Sequence, residues 1–338
     1  MPAWKKIGRY ALEFAVTIAV FALVVAGLRA YNAHRFPAVA AGDGPPPSEK
    51  SAYETSERIR AIEGEYLNGF HFTPAQKRHR GVVVVYGGSE GSPAYDRARQ
   101  LYDDGYETLS LFFFGQPNQA PKLSNVPLEQ FDEVSEYIDD NVGEGPVTVI
   151  GASKGAEFAL LLAQHGFALD NVVAFAPAHY SYTGLDFSDG MRSPSFTLRG
   201  EDIPHASFRD GNWLTGWKVG WQAMTNYPVS YRAMYEQAAE RADNQARIDL
   251  TSFNGNVLLF AGDSDRMWQS EVAGEHLAST SERVELHVYR DAGHAFLEDA
   301  GALGDGWQLS LGGTVEGNAE AHRDSERILA ERLAAWHG

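Results

Sequence analysis

Apolar positions along the chain fall into two kinds of pattern. The first is one unbroken run, Phe14–Leu28, with no polar stripe to give a helix a solvent face. Extended back to Tyr10, it approaches the roughly 20 residues that cross a bilayer. The second begins past position 80, where short continuous apolar runs alternate with segments of helical period. Strands are predicted at Gly81–Tyr86, Thr108–Phe113, Val147–Ile150, Asn171–Phe175, Val257–Ala261 and Val284–Tyr289. Helices are predicted near Ala94–Asp103, Leu128–Asn141, Lys154–His165, Ser270–Leu277 and Ala319–Trp336. Continuous β-branched strands interleaved with helices specify an α/β fold, a mostly parallel sheet covered on both faces.

The apolar run divides the chain. Lys5, Lys6 and Arg9 precede it, as in a signal sequence or signal anchor. A small-x-small triplet, Ala38-Val39-Ala40, lies far beyond the run for a cleavage site, so an uncleaved membrane anchor over residues 1–35 is expected. Basic residues before the run, set against Arg29 and Arg35 after it, favour an inside amino terminus and an extracytoplasmic body. Residues 36–50 read as a linker, stiffened by the prolines of Ala41-Gly-Asp-Gly-Pro-Pro-Pro-Ser48. Residues 51–338 then form the α/β domain.

Charge sharpens this division. The chain holds 28 Lys+Arg and 45 Asp+Glu, yet residues 1–35 contain five basic residues and only one acid, Glu13. The body is therefore strongly acidic and repelled by phosphate backbones, which argues against a nucleic-acid partner. The absence of cysteine rules out disulfides, thiolate metal sites and a cysteine nucleophile. No metal or organic cofactor is implied by the spacing of His and acidic residues.

Candidate chemistry lies just past the strand ends. Gly151-x-Ser153-x-Gly155 is weak as a bare string, but an apolar strand enters it and an Ala- and Leu-rich helix leaves it. That is the strand–turn–helix of a nucleophile elbow, with glycines relieving the crowding around a strained serine. On such a scaffold an acid and then a histidine follow in chain order. The strand ending at Ala261 leads into Gly262-Asp-Ser-Asp265, and the strand ending at Tyr289 leads into Asp291-Ala-Gly-His294. Asp263 and Asp265 are both candidates for the carboxylate, and His294 is the candidate base. Tyr86-Gly-Gly-Ser-Glu-Gly91 follows the first core strand. Its small residues can aim the N–H of Gly88 or Ser89, with that of Lys154, at an oxyanion.

Between the strands at 175 and 257 lie about 80 residues, far beyond an ordinary βα connection. An insertion or cap is expected at about 178–256. Trp213, Trp217 and Trp221, and then Tyr227, Tyr231 and Tyr235, recur at a helical step of four. They either wall an apolar acyl pocket or dock the insertion onto the body. Trp268, close after Asp265, is a candidate substrate-binding residue or a packing one.

The order of these motifs resembles the carboxyl-terminal catalytic domain shared by acyl-CoA thioesterases and bile acid-CoA:amino acid N-acyltransferase. The matching stretches are Tyr86–Gly91, Val126-Pro-Leu-Glu-Gln-Phe-Asp132, Ser153–Glu157, Gly262–Trp268, Ala292–His294 and Leu311–Ala321. The resemblance implies an α/β-hydrolase fold and a triad on Ser153, Asp265 and His294, its Gly-x-x-Asp pattern favouring Asp265 over Asp263. It implies attack on acyl-CoA thioesters. Because the transferase relatives tend to use cysteine, Ser153 favours hydrolysis. Residues 50–80 are too few for the β-sandwich that animal members carry ahead of this domain. An outward-facing body would not meet cytosolic acyl-CoA, so an exported oxygen ester stays open as a substrate. A non-catalytic binding protein on the same fold is the competing class.

Overall fold

The computed structural model describes residues 3–37 and 47–338. The Ala38–Ala40 triplet and most of the Ala41–Ser48 linker lie outside the described residues.

An eight-stranded sheet organises the body. Its strands are β1 (Ile59–Glu63), β2 (Asn68–Phe72), β3 (Val82–Tyr86), β4 (Thr108–Leu111), β6 (Val147–Ala152), β7 (Asn171–Phe175), β10 (Asn256–Gly262) and β11 (Val284–Tyr289). The spatial order is β1-β2-β4-β3-β6-β7-β10-β11. β1 pairs antiparallel with β2 and β2 with β4, while every other neighbour is parallel.

Side chains alternate between the two faces, as a period of two demands. Val82, Val84, Val149, Val172, Val257 and Leu259 face α3 (Gln130–Asn141), α4 (Lys154–Gln164) and α7 (Ser270–Thr280). Val83, Val85, Ile150, Val173, Leu258 and Phe260 face α2 (Tyr95–Asp103) and α9 (Val315–His337). Both faces being covered explains why these strands read as continuous apolar runs. α9 starts four residues before its expected start because Thr314 caps it, its Oγ1 accepting from Gly317 N at 2.9 Å.

The apolar pattern does not predict the β1–β2 hairpin. β2 is wholly buried yet carries Asn68 and His71. His71 Nε2 meets the Glu107 carboxylate at 2.9 Å and its Nδ1 meets the Tyr137 hydroxyl at 3.0 Å, which satisfies a polar ring in the core.

The long connection after β7 holds β8 (Phe196–Leu198), β9 (Glu201–Asp202), α5 (Trp213–Met224) and α6 (Arg232–Arg241). β8 pairs with β9 and with β5 (Val126–Pro127) in a small second sheet. The tryptophan step holds, since all three lie on α5. The tyrosine step does not mark one helix. Pro228 lacks the N–H a helix needs, α6 starts at Arg232, and Tyr227 stays outside it. A short α8 (Trp307–Ser310) precedes α9. At the other end, α1 (Ala3–Arg35) is a 33-residue helix whose Arg9–Arg35 stretch is long and apolar enough to cross a membrane and whose most apolar window holds no buried residue.

Candidate active site

β6 ends in a tight turn into α4, and Ser153 sits at its apex with φ 54° and ψ −116°. That backbone conformation is rare outside glycine and is held from both sides. A Cβ on Gly151 would stand 2.1 Å from the carbonyl oxygen of Gly155, and one on Gly155 would stand 2.0 Å from that of Gly87. The two flanking glycines are therefore required by close backbone approach, and Ser153 N donates to Phe175 O at 2.9 Å.

Ser153, Asp265 and His294 come together although 141 residues separate the serine from the histidine. Ser153 Oγ lies 2.9 Å from His294 Nε2, and His294 Nδ1 lies 2.8 Å from Asp265 Oδ2. Asp265 is fully buried. Its Oδ1 accepts from the backbone of Met267 at 2.8 Å and Trp268 at 3.2 Å, and its Oδ2 also accepts from Ser270 Oγ at 2.8 Å. Asp263 is exposed and points elsewhere. Its Oδ1 accepts from Asp291 N at 2.8 Å and so fastens two loops together. Burial and direction separate the two carboxylates.

Two residues that sequence reasoning passed over hold this geometry. One is Ser270, at the head of α7. The other is Asn318, whose Oδ1 accepts from Gly293 N at 2.9 Å, while His294 N donates to Leu311 O at 2.8 Å. Asn318 falls inside the Leu311–Ala321 stretch, whose sequence gives no sign that it clamps the histidine loop.

The loop after β3 and the start of α4 face Ser153. Gly88 N already donates to the Glu90 carboxylate at 2.8 Å. Among the described residues, the N–H groups of Ser89 and Lys154 meet no protein acceptor. Lys154 also has a structural role that its backbone position did not announce. Its side chain is buried and its Nζ lies 2.8 Å from Glu157 and 2.8 Å from Ser195 Oγ, while Glu157 accepts from Tyr182 N at 2.9 Å. Burial pushes the lysine down and the glutamate up from their usual ranges, and their mutual attraction opposes both shifts.

Two cavities meet at Ser153. An open cleft of about 440 Å³ runs past His294, Glu90, Arg97, Phe296 and Glu326. A smaller, less open chamber of about 180 Å³ is lined by Leu185, Phe208, Val219, Met234, Tyr235 and Trp268. Trp268 is buried, stands edge-on to the His294 ring at 5.5 Å, and keeps its indole N–H without a partner. Tyr231 and Tyr235 wall the chamber, whereas Trp213 and Trp217 are exposed and line neither cavity.

Residues 126–298 match the family model described as BAAT / Acyl-CoA thioester hydrolase C terminal. The chain is 27% identical over 244 residues to the mouse peroxisomal succinyl-coenzyme A thioesterase and 25% identical over 248 residues to mouse acyl-coenzyme A thioesterase 6. It is also 22% identical over 248 residues to mouse acyl-coenzyme A amino acid N-acyltransferase 1. Each match covers 70% of this chain and 53% of the relative, so the chain spans about half the length of these curated relatives. Among solved structures, an esterase of Pyrococcus furiosus superposes with a TM-score of 0.50 at 16% identity, covering 88% of this chain and 98% of the esterase. A putative dienelactone hydrolase of Klebsiella pneumoniae gives 0.50 at 17% identity, covering 82% and 97%. These two likenesses speak for the α/β-hydrolase fold alone. By its fold and by the family model that spans half its length, this chain belongs to the BAAT / acyl-CoA thioester hydrolase C-terminal family.

Proposed function

We propose that the chain is a serine hydrolase that cleaves acyl thioesters through an acyl-enzyme, with residues 51–338 as its catalytic domain and residues 178–256 as the insertion beside the acyl chamber. The observation that carries this reading is the continuous relay from Ser153 Oγ through His294 to the buried Asp265, with spacings of 2.9 and 2.8 Å. Ser153 attacks the acyl carbonyl while His294 Nε2 takes its proton, and Asp265 holds the imidazole tautomer and stabilises the imidazolium. The N–H groups of Ser89 and Lys154, the latter at the positive end of α4, receive the oxyanion. Gly88 is not assigned this role because its N–H is engaged by Glu90. His294 returns the proton to the leaving thiolate, and water activated by the same ring releases the acid. The acyl group occupies the chamber beside Trp268, and the leaving group occupies the open cleft.

A second leaving group is favoured by the charge of that cleft. Glu90 and Glu326 line it, and its Arg97 is paired to Glu326, with Nη2 to Oε1 at 2.6 Å. This lining offers little to the phosphates of coenzyme A and suits an oxygen ester. α1 would anchor the enzyme, with the body on the extracytoplasmic side by the basic flank of its apolar run.

The test is turnover of acyl-CoAs of graded length beside matched oxygen esters, with Ser153→Ala as control. Thioester turnover lost in the variant supports the first reading, and ester turnover alone selects the second. A fluorophosphonate that fails to label Ser153 in the folded wild type would point to a binding protein instead.

A further inference from the structure

Helix α5 is the longest helix of the body without a buried residue. None of its residues is buried, although it carries Trp213, Leu214, Trp217, Val219, Trp221 and Met224. Trp213 is 74% exposed, Trp217 58% and Leu214 54%. Residues 211–231 contain a single charge, Lys218, in a body that is otherwise densely acidic. A helix of this kind placed in water would leave its apolar surface uncovered, whereas tryptophan-rich amphipathic helices lie naturally in the headgroup and upper acyl layer of a bilayer.

The anchor helix says which surface covers it. Phe21 of α1 packs on Trp221 with ring centroids 6.1 Å apart. Further along α1, Arg29 Nη1 donates to Met224 O at 3.1 Å and buried Asn32 donates to Thr225 O at 2.8 Å. Phe36 then meets Tyr227 edge-on at 5.5 Å. These partners run from Phe21 to Phe36 on one side but only from Trp221 to Tyr227 on the other, so α1 crosses the carboxyl end of α5 and does not run alongside it. The polar residues of α1 cap the carbonyls that α5 leaves free at its carboxyl end. From Phe21 to Leu28, where the apolar run ends, the helix rises about 10 Å. That is the depth to which interfacial helices sink, roughly 5–10 Å.

The inner side of the same helix reaches the reaction chamber. Val219 lines the smaller chamber that reaches Ser153, and exposed Phe187 lines it too. We propose that α5 is a lipid-embedded surface that shares one bilayer with α1, and that acyl chains dissolved in that bilayer enter the chamber laterally beneath it. Trp213, Leu214 and Trp217 contact lipid, and Lys218 extends its ammonium to the headgroups. This deepens the hydrolase reading by naming a membrane-resident acyl chain as substrate, and it rests on α1 being a membrane anchor.

The lack of native cysteine makes the test direct. Single nitroxide labels are placed at Leu214→Cys, at Val20→Cys in the anchor and at Glu144→Cys on the far end of the sheet, in full-length protein in phosphatidylcholine vesicles. Collision with oxygen and with a water-soluble nickel chelate then reads depth. The proposal expects the labels at positions 214 and 20 to favour oxygen and the label at 144 to favour nickel. Position 20 in lipid with 214 in water overturns the proposal and leaves the anchor standing. Position 20 in water removes the anchor and the proposal together.

A second measurement addresses delivery. Trp213→Glu/Trp217→Glu should lower turnover of a long-chain ester held in the vesicles roughly tenfold relative to a short soluble ester. An unchanged ratio, with the label at 214 in lipid, overturns lateral entry. Absence of turnover on both esters would overturn the oxygen-ester reading and lateral entry of such an ester, whereas thioester turnover by the same protein would keep the hydrolase reading, and the labels would still decide the lipid surface.

Discussion

Lys154 and Glu157 form an ion pair of 2.8 Å with neither side chain exposed, one turn into the helix that follows the nucleophile. The lysine ammonium also reaches Ser195 Oγ and lies 5.7 Å from the centre of the Tyr182 ring, while the glutamate accepts from Tyr182 N. The pair thus bolts the insertion onto α4 directly behind Ser153. Breaking a buried pair strands the remaining charge, which typically costs about 3–5 kcal/mol. Lys154→Met should destabilise by that order in urea unfolding, whereas Lys154→Met/Glu157→Leu should recover a large part of the loss. Equal losses for the single and double variants would show that the pair is not coupled.

The two aspartates after β10 should separate by activity. Asp265→Asn keeps the shape but favours the wrong imidazole tautomer, so kcat on a soluble ester should fall roughly ten-thousand-fold. Asp263→Asn removes only a loop fastening and should stay within about tenfold. Steady-state kinetics of the two purified variants decide this, and similar losses from both would undo the assignment.

Gly155 is expected to tolerate no side chain. The added Cβ of Gly155→Ala would lie 2.0 Å from the Gly87 carbonyl oxygen, so either the elbow or the loop after β3 must move. That loop carries Ser89. Fluorophosphonate labelling should therefore slow by at least about tenfold in any fraction that folds, as expected when positioning at a reaction centre is disturbed. Labelling at the wild-type rate would mean that the turn is looser than this contact requires.

Acid should loosen the insertion through His179. Burial, reinforced by nearby His276 and Arg247, pushes this histidine down to about 3. The unfolded chain binds the proton near the ordinary value of about 6.5, so the unfolded state holds more protons between these two values. Stability is then full above about pH 6.5 and is lost as pH falls toward about 3. His179→Gln, neutral throughout, should flatten the urea midpoint against pH over that window. A slope identical to wild type would exclude His179 as its source.

Much of this molecule was legible before any fold was known. A strand covered on both faces has to be apolar along its whole length, so Val82–Tyr86, Val147–Ile150 and Val257–Ala261 announced themselves, as did the strand–turn–helix around Ser153. Other features depended on partners far away in the chain. The buried β2 strand was hidden because Asn68 and His71 look like surface residues until Glu107 and Tyr137 are placed beside them. The tyrosine step looked helical because spacing ignores Pro228. Asp263 and Asp265 sit almost equally far past the same strand, and only the direction of each carboxylate in space tells them apart. The tryptophan step determined a helix, since period alone does that. Which way its apolar face points is a relation between α5, α1 and the body, and such a relation exists only once the chain has packed.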